Sequence, residues 1–249
     1  MNSRRPQSVV IIGATSAIAV AVAQELAPNG TRFFLVARDE ERARSVAADL
    51  LSRGAKDAAV YVADLRSRDA HAHIEETASS VLGTIDCVLV AHGVLQPQEV
   101  LDADVDAMVD NFMVNAVSFI AIIHRFAALL EGRGAGMIVG LSSVAGERGR
   151  RSNYVYGAAK SAITTYLSGL RMRLAPVGVH VLTVKPGPVA TPMTENVPMP
   201  LKVGTAVVAK AIVNAIEKRK AEVYTPAFWR LIMAIVRALP EWVMRLAKY

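Results

Sequence analysis

Two residues four positions apart, Tyr156 and Lys160, have the side chains of an acid–base pair. On a helix, residues four apart share one face, so the phenol and the ammonium would be neighbours. A free tyrosine has a pKa near ~10, and a fixed positive charge close to it favours the phenolate and lowers that pKa. Lys160 would supply the charge and Tyr156 the proton. A tyrosine and a lysine at this spacing also occur by chance in many helices, so the pair needs further support.

A third candidate, Ser143, precedes Tyr156 by 13 residues and follows the apolar run of residues 137–141. The run predicts a strand, whose end would deliver a hydroxyl, while the next helix delivers the phenol and the ammonium. A serine hydroxyl can donate a hydrogen bond to a carbonyl oxygen, and a tyrosine can protonate that oxygen as hydride arrives. Ser143, Tyr156 and Lys160 are therefore predicted catalytic residues.

The start of the chain has the pattern of a nucleotide-binding turn. Residues 9–12 are apolar and β-branched, which predicts a parallel strand buried on both faces, and a helical pattern follows to about Leu26. A strand, a tight turn and a helix start suit a dinucleotide, because the helix N-terminus offers free N–H groups and partial positive charge to the pyrophosphate. An ordinary strand-to-helix turn is the alternative. The predicted phosphate contacts are Gly13, Thr15, Ser16, Ala17 and Ile18.

Together, the serine, the tyrosine–lysine pair and the turn resemble the short-chain dehydrogenase/reductase family over essentially the whole chain. The family usually has Thr-Gly-x-x-x-Gly-x-Gly at the turn, whereas this chain keeps Gly13 and has Ile12, Ala17 and Ala19 at the other positions. Alanine is favoured in a helix, so these replacements are tolerable there. The resemblance implies an NAD(P)(H)-dependent ketone reductase or alcohol dehydrogenase. It also implies one α/β domain over residues 1–249, with a doubly wound (Rossmann) parallel sheet of about seven strands and helices on both faces.

The resemblance also assigns further residues. Asn115 matches the asparagine that holds a helix kink and a water linked to the lysine, and it joins the predicted catalytic set. Asp64 matches a residue beside the adenine, although it could instead cap the helix begun near Ser67. Residues 185–191 match the loop that fixes the nicotinamide carboxamide. The cofactor contacts implied in this way are Asp64, Leu65, Ala91, Gly93, Tyr156, Lys160, Pro186, Gly187, Val189 and Thr191. His92 stands where the family has a small or amide residue, and we assign it no chemistry.

The end of the second predicted strand indicates which cofactor binds. An acidic residue there commonly binds the adenosine ribose hydroxyls, but this chain has Ala37 followed by Arg38. Arginine is a planar donor that suits a 2′-phosphate. We therefore expect NADP(H), with NAD(H) as the alternative if Arg38 only pairs with Glu40 or Glu41.

Charge and composition limit the classes of partner that the protein can bind. The formal net charge is +6, which suits an anionic cofactor, an anionic lipid surface or a nucleic acid. Because no zinc-finger or RNA-binding signature is present, we expect no nucleic-acid partner and no metal site. Cys87 is the only cysteine, so no internal disulfide forms. The first six residues lack the long apolar stretch of a signal peptide, which favours a cytoplasmic protein. We also expect a homo-oligomer.

The C-terminal segment, residues 226–249, has a basic, amphipathic helical pattern that Pro240 should break or kink. Its uninterrupted apolar run, residues 231–236, is far too short to span a bilayer. A helix of this kind can lie in a membrane interface, which would make the protein peripheral on the inner face of the membrane. The alternative is a helix packed over the substrate pocket or on another subunit. Residues 195–202 are predicted to form a mobile substrate loop.

Residues 142–157 and 224–229 resemble the reductases that act on decaprenylphosphoryl-2-keto-β-D-erythro-pentofuranose. This resemblance implies reduction of the 2-keto group of a polyprenylphosphoryl pentose in cell-envelope polysaccharide synthesis, with a flavin oxidase as partner. A phosphate could be bound by arginines that lie between the catalytic serine and tyrosine, although these could also be a solvated run or a subunit contact. The predicted substrate contacts are Ser143, Arg148, Arg150, Arg151 and Tyr156.

Two other functions compete with this one. The first is reduction of another lipid-like ketone or aldehyde, such as a sterol, a sphingoid base precursor or a ketoacyl chain. The second, from a different class, is a cofactor-binding regulator without turnover. The presence of all four catalytic residues, Asn115, Ser143, Tyr156 and Lys160, disfavours the regulator.

Overall fold

The computed structural model describes residues 5–195 and 201–246. Its strands, in chain order, are β1 (Ser8–Ile12), β2 (Arg32–Ala37), β3 (Asp57–Val62), β4 (Cys87–Val90), β5 (Gly136–Leu141), β6 (Val179–Pro186), β7 (Val189–Ala190), β8 (Val203–Gly204) and β9 (Glu222–Thr225). Seven of them form one parallel sheet in the order β3-β2-β1-β4-β5-β6-β9, and β7 pairs with β8. The predicted parallel sheet is confirmed. The predicted substrate loop lies mostly outside the described residues, as do residues 247–249 of the tail.

The helices cover both faces of this sheet. They are α1 (Ala17–Leu26), α2 (Glu40–Ser52), α3 (Arg68–Leu82), α4 (Gln98–Ala103), α5 (Val105–Phe112), α6 (Ser118–Arg133), α7 (Tyr154–Leu174), α8 (Thr205–Glu217), α9 (Trp229–Ala238) and α10 (Glu241–Leu246). One core lies between the sheet and α1, α2 and α8, and the other between the sheet and α3, α6 and α7. Because both faces are covered, β1 is buried along its whole length, as its all-apolar sequence predicts.

The helical stretch from Val105 to Arg133 is divided in the structure. Asp104 begins α5, because its side chain accepts hydrogen bonds from the backbone N–H groups of Asp106 and Ala107. A π-helical segment, Met113–Val117, then joins α5 to α6. Val105–Arg133 is long and apolar enough to cross a membrane by length and composition. However, α6 packs as a core helix, with several side chains fully buried between the sheet and α3.

The strand order reverses between β1 and β4. Their chain connections leave in opposite directions at this point, which opens a crevice at the carboxyl ends of the strands. The last residues of β1, β2, β3, β4, β5 and β6, and the segments that follow them, all meet at this edge of the sheet. They contain every residue that the sequence analysis assigned to catalysis or cofactor binding except those carried by helices.

Candidate active site

A cavity of about 400 Å³ occupies the crevice at the strand ends. Its walls include Ser143 and Arg150, and every predicted cofactor residue: Gly13, Thr15, Ser16, Ala17, Ile18, Arg38, Asp64, Leu65, Ala91, Gly93, Tyr156, Lys160, Pro186, Gly187, Val189 and Thr191. The fold therefore brings together residues that lie up to 178 positions apart in the chain, from Gly13 to Thr191.

Ser143 and Tyr156 are held close by the packing of a turn against a helix. Ser143 caps a short 3₁₀ helix, Val144–Glu147, and its Oγ accepts a hydrogen bond from the Ala145 backbone N–H at 3.1 Å. A Cβ at Gly157 would lie 2.9 Å from the carbonyl oxygen of Ala145, so glycine lets this turn approach α7 closely. Tyr156 lies in the first turn of α7 and lines the same cavity as Ser143.

Lys160 lies one helical turn after Tyr156 and is buried, with 4% of its surface exposed. Its Nζ donates a hydrogen bond to the carbonyl oxygen of Leu141 at 3.1 Å, at the end of β5. The same nitrogen is 5.6 Å from the centroid of the Tyr156 ring and 5.2 Å from that of Phe119. The helical pairing of Tyr156 with Lys160 that the spacing predicts is therefore present.

Burial dominates the protonation of both groups. It raises the pKa of Tyr156 to about 12, and the hydrogen bond with Ser143 opposes this rise. It also lowers the pKa of Lys160 to about 8. The expectation that Lys160 lowers the pKa of Tyr156 is not met in this structure, because burial of the phenol disfavours the phenolate and dominates the shift. Tyr156 consequently keeps its proton at neutral pH and can act as a donor.

Asn115 does not line the cavity but supports it from behind. It lies in the π-helical segment and is fully buried. Its Oδ1 accepts from the Val94 backbone N–H at 2.9 Å, and its Nδ2 donates to the Val94 carbonyl at 2.8 Å. A Cβ at Gly93 would lie 2.7 Å from Asn115 Oδ1 and 3.7 Å from Lys160 Nζ. Gly93 thus permits the close approach of Asn115 to the segment that follows β4.

His92 has a structural environment. Burial lowers its pKa to about 3, so its ring is neutral. Its Nε2 lies 3.0 Å from Ser118 Oγ, which itself donates to the Val114 carbonyl at 2.9 Å. Since the serine proton is used in that bond, Nε2 of His92 is the donor to Ser118. The histidine therefore ties the end of β4 to α6, consistent with giving it no chemistry.

Three arginines line one end of the cavity: Arg38, Arg42 and Arg66. Glu40 pairs with Arg44 at 2.6 Å, and no ion pair to Arg38 is present within residues 5–195 and 201–246. The alternative in which Arg38 pairs with Glu40 or Glu41 is therefore not found. Arg42, four residues after Arg38, was not predicted from the sequence.

Asp64, predicted to contact the adenine, is engaged by Arg66. The two side chains pair at 2.6 Å, and hydrogen bonds from Arg66 lower the pKa of the carboxyl group. Ser67, not Asp64, stands at the N-cap position of α3. Arg66 was not predicted from the sequence either, although a basic residue two positions after Asp64 is within reach of its carboxylate.

The three arginines of the loop before α7 have different environments. Arg150 lines the cavity beside Asn153, and its guanidinium approaches the sulfur of Met233 at 4.0 Å. Arg148 instead pairs with Glu241 of α10 at 2.8 Å and lies outside the cavity wall. Arg151 is exposed and also lies outside it. Of the predicted phosphate contacts, the structure brings only Arg150 to the catalytic residues.

A buried charge cluster beneath the cavity was not found by sequence reasoning. Glu147 and Lys185, whose side chains are 3% and 4% exposed, pair at 2.8 Å. Tyr224 donates to Glu147 at 2.5 Å, and Arg237 of α9 lies 3.6 Å from the other carboxylate oxygen. Burial alone would raise the pKa of Glu147, but the bonds from Lys185 and Tyr224 leave it lowered, so the carboxylate is charged. The cluster joins the catalytic turn, β6, β9 and the tail.

The tail packs beside the cavity through its inner face. Trp229 and Met233 are buried against Val144, the residue after Ser143. A Cβ at Gly187 would overlap the Trp229 indole, so glycine is required where the predicted nicotinamide loop meets the tail. The alternative in which the tail packs next to the pocket is thus realised on this face of α9.

The cavity fits a nicotinamide dinucleotide. Ser16 stands at the N-cap of α1 without a side-chain capping bond, and no acidic residue lies in the first turn, so the backbone N–H groups there remain available to an anion. The arginines at one end suit a phosphate, and Ser143, Tyr156 and Lys160 lie at the other. A parallel sheet with this cavity at its switch point defines the class of doubly wound, dinucleotide-dependent oxidoreductases.

Comparison with known proteins gives the family. Residues 7–201 match the family model described as short chain dehydrogenase, and the chain belongs to this family. The chain is 35% identical over 248 residues to the uncharacterized oxidoreductase Rv2073c of Mycobacterium tuberculosis, covering 98% of each. The family and the oxidoreductase activity predicted from the sequence are thereby confirmed. The finer resemblance to reductases of polyprenyl-linked keto sugars stays a prediction.

Two solved structures share the fold. A short-chain dehydrogenase from Sphingobium yanoikuyae in complex with NADPH superposes with a TM-score of 0.82 at 22% identity, over 94% of this chain and 96% of that one. A single-residue variant of actinorhodin polyketide ketoreductase with NADPH gives 0.79 at 22% identity, over 90% and 97%.

Proposed function

We propose that this protein is an NADPH-dependent ketone reductase in which Tyr156 donates the proton. The observation that carries the proposal is the arrangement at one end of the cavity. There, Ser143 and Tyr156 line the same cavity, and buried Lys160 lies 5.6 Å from the centroid of the Tyr156 ring. Bound NADPH would supply the hydride.

The residues of the chain would handle the oxygen of the carbonyl. Ser143 would donate a hydrogen bond to it, and Tyr156 would transfer its proton as negative charge develops. Lys160 uses one N–H on the Leu141 carbonyl, which leaves donors for a ribose hydroxyl and for a proton relay to Tyr156. Asn115 would keep the segment after β4, and with it Gly93, at the correct distance from Lys160. Because Tyr156 holds its proton at neutral pH, it can donate that proton to the developing alkoxide.

The arginines around the adenosine end support NADPH over NADH, and NADPH is also the cofactor named for the two structural neighbours. Arg38→Asp should lower the NADPH/NADH ratio of kcat/KM by about 10- to 100-fold, because it replaces a charge-assisted bond by repulsion of the 2′-phosphate. Arg44→Asp is the matched control, since Arg44 pairs with Glu40 and does not line the cavity. Equal shifts in both variants, or a wild-type preference for NADH, would contradict the role of Arg38.

For the substrate, we propose the 2-keto group of a polyprenylphosphoryl pentose. Arg150 supports an anionic substrate, because it lines the same cavity as Ser143 and Tyr156. Apolar side chains in the cavity wall, among them Val94, Leu95 and Met193, suit a lipid-linked ligand. The ketone would come from oxidation of a 2-hydroxyl, the role expected of a flavin oxidase partner. Reduction of a neutral lipid-like ketone is the second candidate.

Arg150→Ala should raise KM for a polyprenylphosphoryl keto sugar by about 10- to 100-fold, the effect of losing a charged hydrogen bond, and should leave a small neutral ketone unaffected. Arg151→Ala, one residue further and outside the cavity, should leave both substrates unaffected. The measurement is the fall in reduced-nicotinamide absorbance. No fall with any ketone would favour a cofactor-binding regulator, and equal KM changes on both substrates would remove Arg150 from phosphate recognition.

A further inference from the structure

The outward side of the C-terminal helices carries a row of exposed apolar side chains. Phe228, Leu231 and Ile235 are 45%, 69% and 55% exposed, and their spacing of three and four residues places them on one side of α9. On α10, Trp242 and Leu246 are four apart and are 67% and 73% exposed. We call these five residues the tail strip.

The strip is exposed although the helix that carries it is firmly attached. The opposite side of α9 is buried through Trp229 and Met233. Arg148 donates to the carbonyl of Arg237 at 3.4 Å and pairs with Glu241, so the junction of α9 and α10 is bound to the catalytic loop. The tail strip therefore has a fixed orientation relative to the cavity, and fraying of the terminus does not explain its exposure.

The charges of the segment that carries the strip are mostly positive. Residues 226–246 contain Arg230, Arg237 and Arg245, and their single acid, Glu241, is paired with Arg148. Exposed aromatic and aliphatic residues beside arginines are the composition of helices that lie in the interface of an anionic bilayer. The length of α9, 10 residues, is too short to cross one.

We propose that α9 and α10 dock this protein on an anionic lipid surface. The tail strip enters the headgroup and acyl boundary, and Arg230 and Arg245 contact the anionic headgroups, whereas Arg237 pairs with Glu147. This inference does not depend on the proposed reaction. Docking would still matter for that reaction. Trp229 of α9 lies against Gly187 at the cavity wall, so docking places the cavity beside the lipid.

The test is sedimentation of the full-length protein with vesicles, without cofactor or ketone. The protein should bind vesicles that contain phosphatidylglycerol and phosphatidylcholine, and should bind phosphatidylcholine alone at least about 10-fold more weakly. Leu231→Glu with Ile235→Glu should lower binding to the anionic vesicles by about 30-fold or more. Val105→Glu with Met172→Glu, which changes two exposed apolar residues elsewhere by the same charge, should bind like the wild type.

The two tryptophans give a second readout. Trp242 is 67% exposed and Trp229 is 8% exposed, so brominated lipid should quench the wild type and not Trp242→Phe. Circular dichroism confirms that each variant is folded. Equal binding by the tail variant and the control, or no binding to anionic vesicles, would overturn the proposal. Loss of self-association in the tail variant, seen by light scattering without lipid binding, would instead identify a second copy of the chain as the occupant.

Discussion

Tyr156→Phe should lower kcat for ketone reduction by about 10²- to 10⁴-fold, the range that a positioned acid contributes. The substitution removes one oxygen and its proton, and leaves the ring and the packing of α7 in place. The Kd for NADPH, measured by its fluorescence, should therefore stay within about twofold of the wild-type value. Such a change is well below the ~1.4 kcal/mol that corresponds to a tenfold change in Kd. A large change in cofactor binding with kcat preserved would show that Tyr156 has a binding role only.

The chain supplies a matched control for this experiment. Tyr154 lies two residues earlier on the same helix, and its phenol donates a hydrogen bond to Asp102 outside the cavity. Tyr154→Phe removes the same atom from an exposed position and should leave kcat within about twofold, since surface changes seldom move more than ~0.5 kcal/mol. If both variants lost activity equally, the loss would reflect damage to α7 and not a missing proton donor.

Lys160→Met should have the second largest effect, a loss in kcat of about 10²-fold or more together with a raised KM for NADPH. Both constants change because the ammonium is expected to hold the ribose and to return the proton to Tyr156. Lys210→Met, on the exposed side of α8, is the control and should leave both constants unchanged. An unchanged KM for NADPH would remove Lys160 from cofactor binding.

The same variant should be more stable than the wild type at neutral pH. Burial lowers the pKa of Lys160 from 10.5 to about 8, so the charged form is disfavoured in the folded state. Below pH 8 this pKa difference reduces the free energy of unfolding by its full amount. The reduction becomes smaller as pH rises from about 8 to 10.5. Urea unfolding at pH 7 should show a gain on the order of 2 kcal/mol for Lys160→Met, shrinking at about pH 10. A gain that does not change with pH would mean that packing, and not charge, is responsible.

Much of this site could be predicted from the sequence because its signals are local. The apolar run at residues 9–12 and the turn at Gly13 predicted the first strand and the start of α1, and the spacing of Tyr156 and Lys160 predicted a shared helical face. In a parallel sheet, strand ends meet at one edge, so residues that follow strands converge whatever their separation in the chain. All predicted cofactor residues line the cavity for that reason.

The tertiary structure decided which charges meet. Arg148 and Arg150 are two residues apart, yet one pairs with Glu241 of the tail and the other lines the cavity. The Glu147 cluster joins residues separated by up to 90 positions, from Glu147 to Arg237, and no local pattern reveals partners so distant. The pKa of Tyr156 likewise depends on burial by surrounding elements, which its place on α7 does not reveal. The sequence by itself therefore determined the fold and the predicted cofactor residues of the cavity, whereas partners and protonation states follow from packing between elements that are remote in the chain.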